Sequence, residues 1–337
     1  MKILVTGGAG YIGGTVASAL LAKGHQPVIY DDLSHGRRDL LPAGVEFVEG
    51  ELGDRRGIEN LFNSAKNEGQ PFDGVLHFAA LIEAGESMVN PEKFFRNNTA
   101  STLTLLEAML AEGPRRLVFS STAAVYGEPE SVPIPETARL LPTNAYGESK
   151  LLVEHMLSWL NRIHGLRYAS LRYFNVAGAP EGPEGVTRGE AHEPESHLIP
   201  LVLDVALGRR ESIRIYGEDY PTPDGTCIRD YVHVSDLADA HLLALGALEK
   251  QDRLIFNLGN GEGFSVFQVI ESARRVTGHP IPAEIHPRRA GDPAVLVASS
   301  EKAVRELGWK PRYSQLDDIL RTAWIWHQKR YQIRDAK

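Results

Sequence analysis

The stretch that most limits what this chain can fold into is VTGGAGYIGG, residues 5–14. An apolar strand pattern, KILVTG (2–7), runs into it, and a helical pattern over 11–23 runs out of it. Gly7 loosens the turn, and Gly8-x-Gly10-x-x-Gly13 has the spacing that lets backbone approach a pyrophosphate at the positive end of a helix. Such a spacing is weak alone; its place between strand and helix gives it meaning. The second strand pattern, QPVIYD (26–31), closes on Asp31, near the roughly 20-residue offset at which an acid takes ribose hydroxyls. A carboxylate there repels a 2′-phosphate, which favours NAD. Arg37 and Arg38, read as solvated loop residues, leave NADP as the minor alternative.

Further strand-like runs follow at VEFVEG (45–50), GVLHFAA (74–80), RRLVFSS (115–121) and RYASLRYFN (167–175). Helix-length segments such as 91–112 and 146–164 lie between several of them. Apolar runs separated by helices predict a parallel sheet covered on both faces. The expected fold class is therefore α/β, a Rossmann-like doubly wound parallel sheet with a smaller C-terminal α/β substrate domain. Residues 1–175 form the expected NAD-binding domain, to which the chain returns around 226–253, and 176–337 the substrate domain. The Gly-, Pro- and Glu-rich segment 177–195 is read as a loop or an excursion into the second lobe. SVFQ (265–268) and SQLD (314–317) read as helix N-termini of the capping-box kind.

Composition removes several function classes. The 337 residues carry a net charge of −8, which argues against a nucleic-acid coat. One cysteine, Cys227, leaves no disulfide framework and no thiolate metal site. The twelve histidines show no HExxH or similar spacing, so no metal is expected, and His77 and His233 read as core histidines. The chain opens on a strand pattern with no leader-like segment, and no run approaches 18 apolar residues, which predicts a soluble cytoplasmic protein.

The chemistry is carried by NAYGESKLLVEH (144–155). Tyr146 and Lys150 sit four apart where a helical pattern begins, so phenol and ammonium share one face. Thr122 ends the fifth strand, at the sheet edge where ligands bind. An ammonium about 4 Å from a phenol favours phenolate by about 4 kcal/mol at an effective dielectric near 20. That is roughly three pKa units, enough to make tyrosine a base near neutrality. A hydroxyl at Thr122 can orient the substrate oxygen.

These residues resemble the short-chain dehydrogenase/reductase superfamily in its extended branch. The likeness covers essentially the whole chain: TGGAGYIG, LHFAALIEAGES, SSTAAVYGE, YGESKLLVE, LRYFNVAGA, HLIP, RDYVHVSDLADAH, FNLGNG and RRAGDPA are together similar to the UDP-glucose 4-epimerase (UDP-galactose 4-epimerase) family. The resemblance implies NAD kept bound and recycled while UDP-glucose and UDP-galactose interconvert through a 4-keto sugar, in galactose metabolism. Tyr146 would take the proton from the sugar 4-hydroxyl.

By the same resemblance, cofactor contacts fall on Gly7, Gly10, Tyr11, Ile12, Gly13, on Asp31, Asp32, Leu33, Ser34, His35 and Gly36, and on Glu51 and Leu52. They continue through Phe78, Ala79, Ala80, Leu81 and Ile82 to Asn97, Tyr146, Lys150 and Phe174. Sugar-nucleotide contacts fall on Thr122, Tyr146, Asn175, His197, Leu198, Arg214, Ile215, Tyr216 and Arg229, and on Arg289 through Asp292, including Ala290 and Gly291. Guanidinium forks suit phosphate oxygens independently of any family. Leu296 falls where the family lines the pocket beside the sugar 2-substituent.

The chain departs from that family at Glu51, where many members carry Asp, at Ile82, where some carry Lys, and at His197, where some carry an amide. A sugar-nucleotide 4,6-dehydratase needs an acid and a base after the threonine; Ala123-Ala124 cannot move protons. A non-catalytic NAD-sensing protein has no use for Tyr146 and Lys150. The resemblance also implies a homodimer built on 91–112 and 146–164. The apolar surplus of LLVEHMLSWL exceeds what a single core face needs.

Overall fold

The computed structural model describes residues 1–182, 185–289 and 292–335, with side chains through Tyr331. Six strands form from the six apolar runs: β1 (Lys2–Thr6), β2 (Gln26–Asp31), β3 (Glu46–Glu49), β4 (Gly74–His77), β5 (Arg116–Thr122) and β6 (Arg167–Tyr173). They join one parallel seven-stranded sheet, in which β6, β5, β4, β1, β2 and β3 are successive neighbours. The seventh strand, Arg253–Leu258, pairs with β6 at the outer edge. Strand order runs outward in both directions from β1, so a crevice opens at the carboxyl ends between β1 and β4.

Alternation along each strand divides the core into two layers. Ile3 and Val5 face α1 (Tyr11–Ala22) through Val16 and Leu20, and the helix Val234–Ala247 through Leu237 and Leu245. Leu4 and Val28 face the other way, onto Ile58 and Phe62 of α2 (Arg55–Asn67) and onto Leu105, Met109, Val153 and Leu157. Each side chain of this size is worth about 1.5–3 kcal/mol when fully buried. His77 lies in this core, with Nδ1 2.6 Å from Thr6 Oγ1 and Nε2 2.8 Å from Thr102 Oγ1. Burial pushes its pKa down to about 3, so it is a neutral core histidine.

After β6 the chain leaves the sheet. Asn175–Ala177 pairs in parallel with Ile228–His233, which also pairs with Gly263–Ser265 and Val295–Leu296. Ile213–Tyr216 pairs with Ala283–His286, and a third core joins Ile199, Val202, Ile215, Val269 and Ile319. The chain re-enters the main layers with the helix Val234–Ala247 and the strand Arg253–Leu258, whereas Ile228–His233 stays in the smaller lobe.

The helix beginning Val266–Thr277 has both bonds of a capping box, Gln268 N–H to Ser265 Oγ at 3.1 Å and Ser265 N–H to Gln268 Oε1 at 2.8 Å. The second expected box, at 314–317, is not formed. That helix starts at Leu316, and Asp317 instead accepts from Ser272 and Arg275. The expected single helix over 91–112 is also interrupted: Pro91–Phe94 and Ser101–Ala111 flank a π-helical stretch, Phe95–Ala100. Its wider turn brings Asn98 against the backbone of Leu81, accepting at 2.8 Å and donating at 2.9 Å.

Candidate active site

The glycine turn is compact because side chains cannot fit. Gly7 has φ of 71°, and a Cβ there would lie 2.4 Å from Ala79 N. A Cβ at Gly13 would lie 2.4 Å from Gly7 O. The buried Asp31 carboxylate closes the adjoining wall, accepting from Ala9 N–H at 3.0 Å and from Leu33 N–H at 2.9 Å. Burial raises its pKa, and those two N–H groups pull it back. Turn, helix end and acid open into one cleft of about 1660 Å³. That exceeds the roughly 300–1,000 Å³ of a site for one drug-sized ligand, so a dinucleotide and a second nucleotide fit together.

Every expected cofactor position lines this cleft except Leu33. Leu33 is held at φ of 59° with its N–H on Asp31, so it shapes the loop. Asn97 reaches the cleft from the π-helical stretch. Ile82 brings no charge to the cleft, and its N–H bonds Glu83 Oε2 at 3.1 Å.

Thr122, Tyr146 and Lys150 meet in the same cleft. Thr122 ends β5, and its Oγ1 accepts from Ala124 N–H at 3.1 Å. Asn144 caps the next helix, Ala145–His164, by accepting from Gly147 N–H at 2.8 Å. A Cβ on Gly147 would lie 2.6 Å from Ala124 O, so glycine lets this helix close on the Thr122 turn. Lys150 is buried, donates to Ser120 O at 3.0 Å, and has its pKa pushed down to about 7 by burial.

The expected phenolate is not set up by the chain alone. Burial raises the Tyr146 pKa, the Thr122 hydroxyl lowers it, and Glu83 raises it further, with a net upward shift. The cost of burying both groups outweighs the attraction between phenolate and ammonium.

The sugar-nucleotide positions divide. Asn175, His197, Arg289, Asp292 and Leu296 line the cleft with Thr122 and Tyr146. Leu198, Arg214, Ile215, Tyr216 and Arg229 do not line it. Ile215 is buried in the core of the smaller lobe. Arg229 and Asp292 form an ion pair, and the Arg289 guanidinium lies 4.0 Å from the Tyr216 ring centroid. Ala290 and Gly291 lie outside the described residues.

One group escaped the sequence reading. Glu190, His192, Glu195 and His197 bring their donor atoms within 4.8 Å of one another, and Glu190, His192 and His197 line the cleft. His197 Nδ1 lies 2.7 Å from Glu190 Oε1 and 3.1 Å from Glu195 Oε1. Burial lowers the His197 pKa, but the two carboxylates outweigh it and hold it well above the ordinary range. The signal was E-x-H-x-x-E-x-H at 190–197, hidden in a segment read as a loop.

Residues 3–259 match the NAD dependent epimerase/dehydratase family. The chain belongs to that family. NAD is accordingly its cofactor, and the turn, Asp31 and the cleft fit it. The UDP-glucose 4-epimerase of Streptomyces lividans is 55% identical over 97% of this chain and 96% of its own length. Among solved structures, the UDP-glucose 4-epimerase of Brucella ovis in complex with NAD is 43% identical, with a TM-score of 0.90 and 96% and 97% of the two chains covered. That of Bifidobacterium longum in complex with NAD⁺ and UDP is 36% identical, with a TM-score of 0.91 and 98% of both chains covered.

Proposed function

We propose that this enzyme interconverts UDP-glucose and UDP-galactose by inverting the sugar at C4 through a transient 4-keto sugar. The observation that carries the reading is Thr122, Tyr146 and Lys150 in one cleft with the glycine turn, followed by Ala123-Ala124, which supply no second acid or base. Bound NAD⁺ supplies a hydride acceptor regenerated in each cycle, and a positive charge that favours the phenolate. Tyr146 takes the proton of the sugar 4-hydroxyl and returns it, Thr122 orients that oxygen, and Lys150 supports the negative form of the phenol. Holding the substrate by its UDP end leaves the sugar free to present either face.

Arg289, Asp292, Asn175 and His197, all on the cleft wall, are assigned to the nucleotide sugar, and Leu296 to the neighbourhood of its 2-substituent. Arg229, paired with Asp292, and Tyr216, beneath the Arg289 guanidinium, would contribute from behind the cleft lining, together with Arg214 and Leu198. Residues 1–175 with the returning strand and helix would serve NAD, and the smaller lobe the UDP-sugar. A homodimer through the helices near 91–112 and 146–164 fits their exposed apolar residues. No described helix is long and apolar enough to cross a membrane. A cytoplasmic setting suits the lone, free Cys227, which leaves an oxidising compartment nothing to crosslink.

Tyr146→Phe keeps the ring and removes the base. With UDP-galactose, turnover should fall by about 100-fold or more, while NAD and UDP still bind. Near wild-type conversion to UDP-glucose by this variant would sink the mechanism.

A further inference from the structure

We infer that Glu83 sets sugar specificity: its carboxylate accepts a hydrogen bond from a hydroxyl beside C4, which selects neutral hexoses and turns away sugars carrying a carboxylate at C6. The place of the sugar follows from the 4-epimerase reading, on which this proposal rests. Glu83 is half-buried and lines the cleft with Thr122, Tyr146 and Lys150. Its Oε2 accepts from Ile82 N–H at 3.1 Å, and its Oε1 makes no hydrogen bond among the described residues. Glu86, three residues on, pairs with Lys93 at 2.7 Å, whereas Glu83 pairs with no cation among the described residues. A carboxylate with a spare oxygen and no counter-charge in a ligand cleft is an acceptor waiting for a donor.

The fold holds this carboxylate beside the catalytic phenol. Two residues before it, the Leu81 backbone donates to Asn98 Oδ1 at 2.8 Å and accepts from Asn98 Nδ2 at 2.9 Å. The same Asn98 amide donates to Ser149 Oγ at 3.1 Å, and that hydroxyl donates to Tyr146 O at 2.7 Å. Asn98 and Ser149 are both buried, so an interior chain of hydrogen bonds ties the wall bearing Glu83 to the helix turn bearing Tyr146. On the other side of Glu83, the wholly buried Ser87 places its N–H on Glu83 O at 3.0 Å and its hydroxyl on Ala84 O at 2.7 Å. Burial does most to raise the Tyr146 pKa, and the Glu83 charge adds to it. That charge works against the phenolate, so its presence calls for a gain elsewhere, and hydroxyl binding supplies one.

Tyr146 fixes where the sugar 4-oxygen lies, so a group beside the phenol faces the two carbons that flank C4. Inversion requires the ring to offer each face in turn. Turning it over about the line from its anomeric end to C4 exchanges the C3 and C5 edges. In glucose and galactose both edges carry a hydroxyl, one on C3 and one on C6. A single fixed acceptor therefore finds a donor in either orientation, and a carboxylate makes the stronger kind of hydrogen bond. A uronate brings a second carboxylate to one of those edges, and like charges side by side are strongly unfavourable. A pentose lacks C6 altogether and leaves one orientation without a donor.

The test is calorimetric titration of NAD-bound enzyme with UDP-glucose, UDP-xylose and UDP-glucuronate. Wild type should bind UDP-glucuronate about 100-fold or more weakly than UDP-glucose, with UDP-xylose between them. Glu83→Gln keeps the side chain's size and the acceptor for Ile82 N–H while removing the charge. It should narrow the preference for UDP-glucose over UDP-glucuronate by about tenfold or more. Glu83→Ala should narrow it in the same direction, and decides the matter if the glutamine variant is not recovered folded. Equal wild-type affinity for UDP-glucose and UDP-glucuronate would overturn the assignment. So would a preference within about twofold of wild type in both variants, even if NAD were held less tightly, because Glu83 would then serve the cofactor. Conversion of UDP-galactose is read separately: its absence in wild type would remove the 4-epimerase reading, while the binding ratios would still judge Glu83.

Discussion

Burial acts in opposite senses on the two central side chains, lowering Lys150 to about 7 and raising Tyr146. For Lys150 the folded chain binds fewer protons than the unfolded chain between pH 7 and the ordinary lysine range. Stability therefore rises with pH across that window, and the penalty is complete once pH falls below about 7. Each unit of depression costs about 1.4 kcal/mol. Lys150→Met should therefore be more stable than wild type in cofactor-free protein, most clearly at pH 7 and less so toward pH 10, while turnover falls by about 100-fold. Urea denaturation at both pH values checks this; a gap that ignores pH would refute the buried charge. At Leu296 the question is size. It lines the cleft, pairs in register with Arg229 and packs beside Ala123 and Phe174. Leucine leaves more room than tyrosine, so UDP-N-acetylglucosamine should turn over slowly beside UDP-glucose. Pocket differences of this kind are worth about 1–3 kcal/mol, so Leu296→Tyr should cut kcat/KM for the N-acetylated sugar about tenfold relative to UDP-glucose. An unchanged ratio would show that Leu296 is not the gate.

The helix Ala145–His164 carries chemistry at its start and fastens the fold further along. Glu154, buried on its inner face, takes Arg172 Nε and Nη2 at 2.9 and 2.5 Å and the Ser121 hydroxyl at 2.6 Å. Removing the charge leaves Arg172 buried without its partner. Glu154→Gln should cost about 3–5 kcal/mol, measurable by chemical denaturation; a loss under about 1 kcal/mol would contradict it. Elements like this helix were legible because their signals are local: Asn144 before an apolar period, and Gly165 after it in the left-handed region at φ of 69°. The six runs that became β1 to β6 were legible for the same reason. The π-helical stretch was not, since it goes with the Asn98 amide meeting the backbone of Leu81, a contact that no sequence period records. The Glu–His cluster was missed differently. Its E-x-H repeats lie in a Gly- and Pro-rich segment whose shape is set by Trp326 and Arg330, well over a hundred residues later. The phenol's raised pKa follows from burial in the folded cleft, which spacing alone does not reveal.

At the scale of the whole molecule, the faces of that helix are unequal. Val153 and Leu157 are wholly buried, but Trp159 and Ile163 on the outside keep 59% and 67% of their exposure. The two are four residues apart, one turn along a single face. Leu103, on the neighbouring helix Ser101–Ala111, is also exposed. The Arg162 guanidinium covers part of the indole, 4.8 Å from its ring centroid, yet Ile163 has no such cover. Large exposed apolar side chains gathered on one element mark an interaction surface. A second copy of the chain is the economical occupant, because a twofold axis lets each patch cover the other. A stable contact of this kind buries about 1,200–2,000 Å² in total, more than these side chains alone present, so the neighbouring helix has to join it. Light scattering at micromolar concentration should therefore give a dimer mass. Ile163→Glu with Trp159→Glu should shift it to monomer while leaving the circular dichroism spectrum and bound NAD unchanged, because neither side chain belongs to the core or the cleft. A wild-type monomer, or a dimer indifferent to both charges, would place the interface elsewhere or remove it.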